Sequence, residues 1–255
     1  MKINDALTIF ENYAPQSLSK KFVEKFDAYD NVGVLVELDK EITGIVFSLD
    51  LTNDAVELAI KNNCNLIFTH HPAIYAPIKN LTKNSPVFKA VNNSIGVISF
   101  HLNLDVAKQG IDYYLAKGLG GEDAKILSLV DDDLGYGRVF SVNGVKFNDI
   151  VEKYKSEFNS NRVVTYGNLE DKVNKIATFC GAGLSGESID LANDCDLIIS
   201  SDAKHHDIVK ALELNKKLLL VTHYSSEFYG FKKVYENLSF SFNVKTLLNV
   251  EEKYL

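Results

Sequence analysis

The chain has 255 residues, 46% of them hydrophobic and 24% charged, with a formal net charge of −7. That is an ordinary soluble globular composition with material for a sizeable core, and the acidic balance argues against a protein that grips nucleic acid through a basic surface. With only two arginines, Arg138 and Arg162, bidentate phosphate clamps would be few.

No apolar run approaches the roughly 20 residues of a membrane-spanning helix. The first residues carry an early acid, Asp5, and no apolar signal core. Three cysteines (Cys64, Cys180, Cys195) lack CxxC spacing and read as reduced, buried thiols. The expectation is a cytoplasmic protein with no membrane partner.

Apolar residues at helical spacing predict a helix over residues 3–14, and a second short helix follows over 18–27. Asp30-Asn31-Val32-Gly33 is a turn signal before a strand over 34–38, and a branched, aromatic run predicts a strand over 43–49. A helix over 54–62, capped by Thr52 or Asn53, leads to a strand over 64–69 that ends in His70-His71-Pro72. A helix over 86–92 and a strand over 96–100 lead to His101, with Asp105 four residues on. A helix over 111–117 runs into Gly118, Gly120 and Gly121, a boundary signal. Strands are then predicted over 138–142 and 162–166, with a helix over 147–158 between them. The alternation resumes with strands over 175–180, 197–200 and 218–222 and helices over 187–193, 208–214 and 228–237. A last strand is predicted near 240–247. Strands alternating with helices predict an α/β class.

The chain repeats part of itself. Asn63-Cys64-Asn65-Leu66-Ile67 followed by His70-His71 has a counterpart in Asp194-Cys195-Asp196-Leu197-Ile198 followed by His205-His206. Each half then offers a strand, a histidine and an acid four residues on: His101 with Asp105, and His223 with Glu227. Two related α/β units, 1–121 and 122–255, with mixed sheets flanked by helices, are the expected architecture.

All six histidines fall in these stretches. Side chains at strand ends project from a rigid scaffold, so polar groups gathered there point to function. Imidazole and carboxylate together suit first-row divalent ions, and this inventory suffices for one metal or for two about 3.5–4 Å apart. His205 and His206, at a helix start, either line the site as proton-moving groups or are ordinary surface residues. The segment Gly181-Ala182-Gly183-Leu184-Ser185-Gly186 has the outline of a dinucleotide fingerprint, but its counterpart in the first half has no glycines. A tight strand-to-helix turn, or backbone amides that hold an anionic group, are the readings left open.

Several motifs, in order, resemble one family. Asp30-Asn31-Val32-Gly33, Leu66-Ile67-Phe68-Thr69-His70-His71-Pro72, His101-Leu102-Asn103-Leu104-Asp105, Leu134-Gly135-Tyr136-Gly137-Arg138, Cys180-Gly181-Ala182-Gly183 and His223-Tyr224-Ser225-Ser226-Glu227 resemble signatures of the GTP cyclohydrolase I type 2 homologues, the NGG-one-interacting-factor-three-like proteins. The resemblance implies two related α/β domains, a metal site in the cleft between them that is a dinuclear centre of about two divalent ions per chain (Zn, Fe, Mn or Ni), and a homohexameric ring. It places the metal ligands on His70, His71, Asp105, His223 and Glu227, with His101 behind them and His206 near the site. Thr222 stands where the family usually has Gly before the late histidine, and Ser201-Asp202 where it usually has Gly-Asp. The expected function is a metal-dependent hydrolase of a nucleotide- or pterin-like substrate that opens cyclic amidine C–N bonds, with His101 or His206 as catalytic proton carriers. The alternatives are a metal carrier without turnover and a ring-shaped binding protein, with nucleic acid a less favoured partner.

Overall fold

The computed structural model describes residues 1–255 and divides into two compact units. The first contains Met1–Ala107 and Phe231–Val250, and the second contains Lys108–Gly230 and Glu251–Leu255.

In the first unit, α1 (Ile3–Tyr13) and α2 (Gln16–Phe26) each bury one stripe, Ile3, Ala6 and Phe10 from α1 and Leu18, Ser19 and Phe22 from α2. Then come β1 (Gly33–Val36), β2 (Gly44–Ser48), α3 (Asn53–Lys61), β3 (Leu66–Thr69), α4 (Pro86–Asn92), β4 (Gly96–Ser99) and a short α5 (Leu102–Val106). Strands β2, β3 and β4 run parallel, with β1 antiparallel on the outer side of β4. All three parallel strands are buried along their whole length, as strands covered on both faces are. A cluster of phenylalanines locks the unit. Phe68 stacks on Phe10 with centroids 3.9 Å apart and packs on Phe47, Phe100 and Phe231 at 5.2–6.1 Å.

The second unit holds α6 (Ile111–Gly118), β5 (Lys125–Asp131), β6 (Leu134–Lys146), α7 (Phe147–Glu157), β7 (Val163–Tyr166), β8 (Lys172–Thr178), α8 (Gly186–Leu191), β9 (Leu197–Ser200), α9 (His205–Glu213), β10 (Lys217–Val221) and the start of α10 (His223–Leu238). Its sheet order is β5-β6-β8-β9-β10-β7. Strands β8, β9 and β10 are parallel, and β7 caps them antiparallel. The last strand, β11 (Lys245–Leu248), returns to the first unit and pairs in parallel with β2. No helix is long and apolar enough to cross a membrane.

The α/β class and the two sheets flanked by helices agree with the sequence reading. The division differs from a cut after residue 121 in two respects. Helix α6 belongs with the second unit, where its Gly118 leaves no room for a side chain against Phe158 and Tyr229. Residues 231–250 go back to the first unit because β11 completes its sheet. Strand β5 was not predicted, and it is a half-exposed edge strand with little alternation. Helix α10 begins five residues before its predicted start of 228, at His223. The Thr222 hydroxyl accepts from Ser225 N at 3.0 Å and starts the helix, and Ser225 and Ser226 are buried in it.

The internal repeat is structural as well as sequential. Each unit contains a parallel three-strand βαβαβ run, β2-α3-β3-α4-β4 and β8-α8-β9-α9-β10. The residue before the middle strand does the same work in both. Asn65 Oδ1 accepts from Thr43 N at 2.8 Å, and Asp196 Oδ2 accepts from Asn174 N at 2.7 Å. The cysteines that precede these residues are buried, and burial pushes the Cys195 thiol up to about 11, which fits an inert core group.

Candidate metal centre

In the first unit, β3 ends at Thr69 and the chain turns at once. The amides of His70 and His71 both donate to the Leu49 carbonyl, at 3.1 and 2.9 Å. The Thr69 hydroxyl contacts Ser99 Oγ at 2.7 Å and donates to the His71 carbonyl at 2.8 Å. This pins both histidines at the strand end. His101 follows β4, the neighbouring strand, and is the N-cap of α5, so Asp105 lies in that helix's first turn. The spacing His-x-x-x-Asp is therefore one helical turn laid directly after a strand.

The structure brings His70, His71 and His101 together, with one ligand atom from each inside a 4.8 Å group that could hold a metal ion. His70 is fully buried, and its Nε2 lies 3.5 Å from Oδ1 of the buried Asp105. The other ring nitrogens face fixed oxygens. His70 Nδ1–H donates to the Phe100 carbonyl at 3.1 Å, His71 Nδ1–H to Asp50 Oδ1 at 2.7 Å, and His101 Nδ1–H to Asp30 Oδ1 at 2.9 Å. With the proton on Nδ1, Nε2 carries the lone pair that a metal or a proton needs. Burial pushes the Asp30 carboxyl up, but the hydrogen bond and charge of His101, the Ser19 hydroxyl and the Asn31 amide outweigh it and hold it below its ordinary value. Asp30 thus stays ionised behind His101 at neutral pH.

In the second unit the pattern recurs. His223 starts α10 directly after β10, and Glu227 is one turn further on the same helix face. His223 Nε2 lies 3.1 Å from Glu227 Oε1, and His223 Nδ1–H donates to Asp202. The Glu227 side chain is 3% exposed. A carboxylate so deeply buried needs charged or hydrogen-bonding company, which a cation supplies well. Gly181, in the left-handed region at φ +56°, lies directly against this pair.

His205 and His206 are exposed in the first turn of α9; the His206 side chain is 77% exposed, and its carboxylate neighbour is Asp207 at 3.6 Å. The glycine-rich segment is a turn into α8, with Ser185 as N-cap in a capping box with Ser188. Helix α8 is too short to add a dipole site for an anion.

Sequence reasoning gave the three aspartates behind the histidines no role as their partners, although Asp30 and Asp202 stand in stretches it singled out. A signal for two of them existed. Asp50 and Asp202 each precede their histidine by 21 residues. Each pair joins the ends of neighbouring parallel strands, β2 to β3 and β9 to β10. Asp30, 71 residues before His101, has no comparable local mark.

The family model described as Duf34/NIF3 (NGG1p interacting factor 3) matches residues 1–253. A curated protein of Methanocaldococcus jannaschii called "GTP cyclohydrolase 1 type 2 homolog" is 33% identical over 254 residues, covering 97% of this chain and 98% of that one. A protein of the same name from Clostridium perfringens is 30% identical over 248 residues, covering 93% and 91%. Among solved structures, "Reduced HcgD from Methanocaldococcus jannaschii" superposes with a TM-score of 0.80 at 31% identity, covering 97% of each chain. Staphylococcus aureus hypothetical protein SA1388 superposes with a TM-score of 0.84 at 26% identity, covering 98% of this chain and 97% of that one.

Proposed function

Because the chain belongs to the Duf34/NIF3 family, we propose that it is a metal-dependent hydrolase of a nucleotide- or pterin-like substrate. The proposed centre is dinuclear, with His70, His71, Asp105, His223 and Glu227 as ligands. One observation carries the metal-binding part. Four histidines each donate Nδ1–H to a fixed oxygen, on Phe100, Asp50, Asp30 and Asp202, which puts the lone pair on Nε2, to ligate a metal in His70, His71 and His223 and to take a proton in His101. Such partners are what a metal-binding imidazole needs to hold its tautomer and orientation. The donor set fits Zn, Fe, Mn or Ni, since it offers imidazole and carboxylate and no sulfur.

Bound there, divalent ions would act as Lewis acids, polarising a substrate oxygen and lowering the pKa of water. The chain's own residues then do the rest. His101 accepts and returns a proton at Nε2, while Asp30 stabilises the charged ring through Nδ1–H. Asp50 and Asp202 do the same orienting work for His71 and His223. His206 is assigned no step. The substrate class follows the name of the curated relatives. Assembly as a homohexamer is proposed on the resemblance alone.

A metal carrier is the second reading, favoured by the accessibility of His71 and His223, whose side chains are 23% and 33% exposed. Incubation of metal-loaded protein with GTP, other nucleotides and pterins separates the two. A hydrolase gives product that disappears with chelator and falls at least about a hundredfold in His101→Ala, the scale of a lost general base. A carrier gives no product and instead hands its metal to an apo-acceptor.

A further inference from the structure

The motif Leu134-Gly135-Tyr136-Gly137-Arg138 and the glycines after Cys180 take no part in the chemistry above. The structure gives them a shared task. The Arg138 guanidinium is buried and lies 3.0 Å from Asp112 Oδ2, while its Nη1 donates to the carbonyls of Gly135 and Gly137 at 2.8 and 3.2 Å. Asp112 Oδ1 accepts from Cys180 N at 3.4 Å, and the Tyr136 hydroxyl donates to Cys180 O at 2.6 Å. Cys180 is thus held at both its amide and its carbonyl.

Gly181 is gripped in turn. Its amide donates to Ser226 Oγ at 3.1 Å, and its carbonyl accepts from Ser201 N at 3.2 Å and Ser201 Oγ at 2.5 Å. Ser226 Oγ also donates to the His223 carbonyl at 2.8 Å, which ties the turn to the first turn of α10. Gly181 needs to be glycine for two reasons. Its φ is +56°, and a Cβ would collide with the Glu227 carboxylate and meet His223 Nε2 at 3.3 Å.

We infer that Gly181, fixed by Tyr136, Asp112 and Arg138, is a positioning residue that sets where the Glu227 carboxylate and the His223 ring stand. The inference rests on the metal-binding reading of those two residues. The backbone at Gly181 forms a wall against which the carboxylate is placed, and the buried ion pair stops that wall from retreating. The residues act through Glu227 and touch no substrate.

The test is Gly181→Ala, alone and combined with Glu227→Asp, with zinc as the probe. Zinc affinity is read by chelator competition, and folding by the melting temperature of the metal-free protein. We expect Gly181→Ala to bind zinc at least about tenfold more weakly, the scale seen when a ligand's support is disturbed, while melting as a single folded species. In the Glu227→Asp background, the shorter side chain makes room for the methyl group, so the added loss from Gly181→Ala shrinks. A merely structural role would lower the melting temperature without that rescue. Unchanged zinc affinity in Gly181→Ala, or a loss equal in both backgrounds, overturns the inference. Metal-free crystal structures of wild type and Gly181→Ala decide it independently: a displaced Glu227 carboxylate supports it and an undisplaced one refutes it. Failure of the wild type to take up zinc would instead count against the metal-binding reading.

Discussion

Arg138→Met is expected to destabilise the protein by about 3–5 kcal/mol, the cost of leaving one member of a buried ion pair without its partner. Arg138 is 3% exposed and Asp112 is fully buried, so water cannot replace the guanidinium beside the carboxylate. The same substitution also strips two carbonyl oxygens, on Gly135 and Gly137, of their donor. Unfolding in urea measures the loss. A second substitution supports the assignment: adding Asp112→Asn removes the stranded charge, so the double variant is expected to regain part of the stability. A loss under about 1 kcal/mol for Arg138→Met would mean that the pair contributes no more than an exposed one does.

Phe68→Ala is expected to cost a similar amount, about 3–5 kcal/mol, through lost burial and the cavity left behind. Phe68 is fully buried at the centre of β3, with Phe10 stacked on one side and Phe47, Phe100 and Phe231 around it. Four aromatic neighbours are too large to collapse into the space. Phe240 is the internal control. It is 91% exposed, and its replacement by alanine should change stability by no more than about 0.5 kcal/mol. Calorimetry or urea unfolding of both variants separates core packing from mere apolar content. The two losses being equal would contradict the assigned core.

The site histidines could be read from the sequence because each follows a short apolar run that becomes a buried parallel strand. Leu66–Thr69 delivers His70 and His71, Gly96–Ser99 leads to His101, and Lys217–Val221 leads to His223. The partner acids Asp105 and Glu227 were legible for a different reason: the spacing of four is a helical turn, although helix α5 and the first turn of α10 were not predicted. Helix α5 is only five residues long, and the first turn of α10 buries serines where a pattern reader expects apolar residues. The aspartates behind the histidines are tertiary partners brought in by strand order, and spacing alone does not expose a pairing such as Asp30 with His101. The same holds for the chain's return to its first unit through β11, which depends on a pairing with β2 about two hundred residues away. The glycine-rich segment shows the opposite case. Its pattern resembled a cofactor loop, and the structure makes it a wall beside Glu227.

Metal content per chain, measured on protein purified without chelator for wild type and Glu227→Ala, decides whether these residues hold a dinuclear centre. The wild type is expected to carry about two divalent ions per chain, the complement of a two-metal site, and the variant sharply fewer. A wild type that is purified without metal and then fails to take up Zn, Mn or Fe would contradict the dinuclear centre.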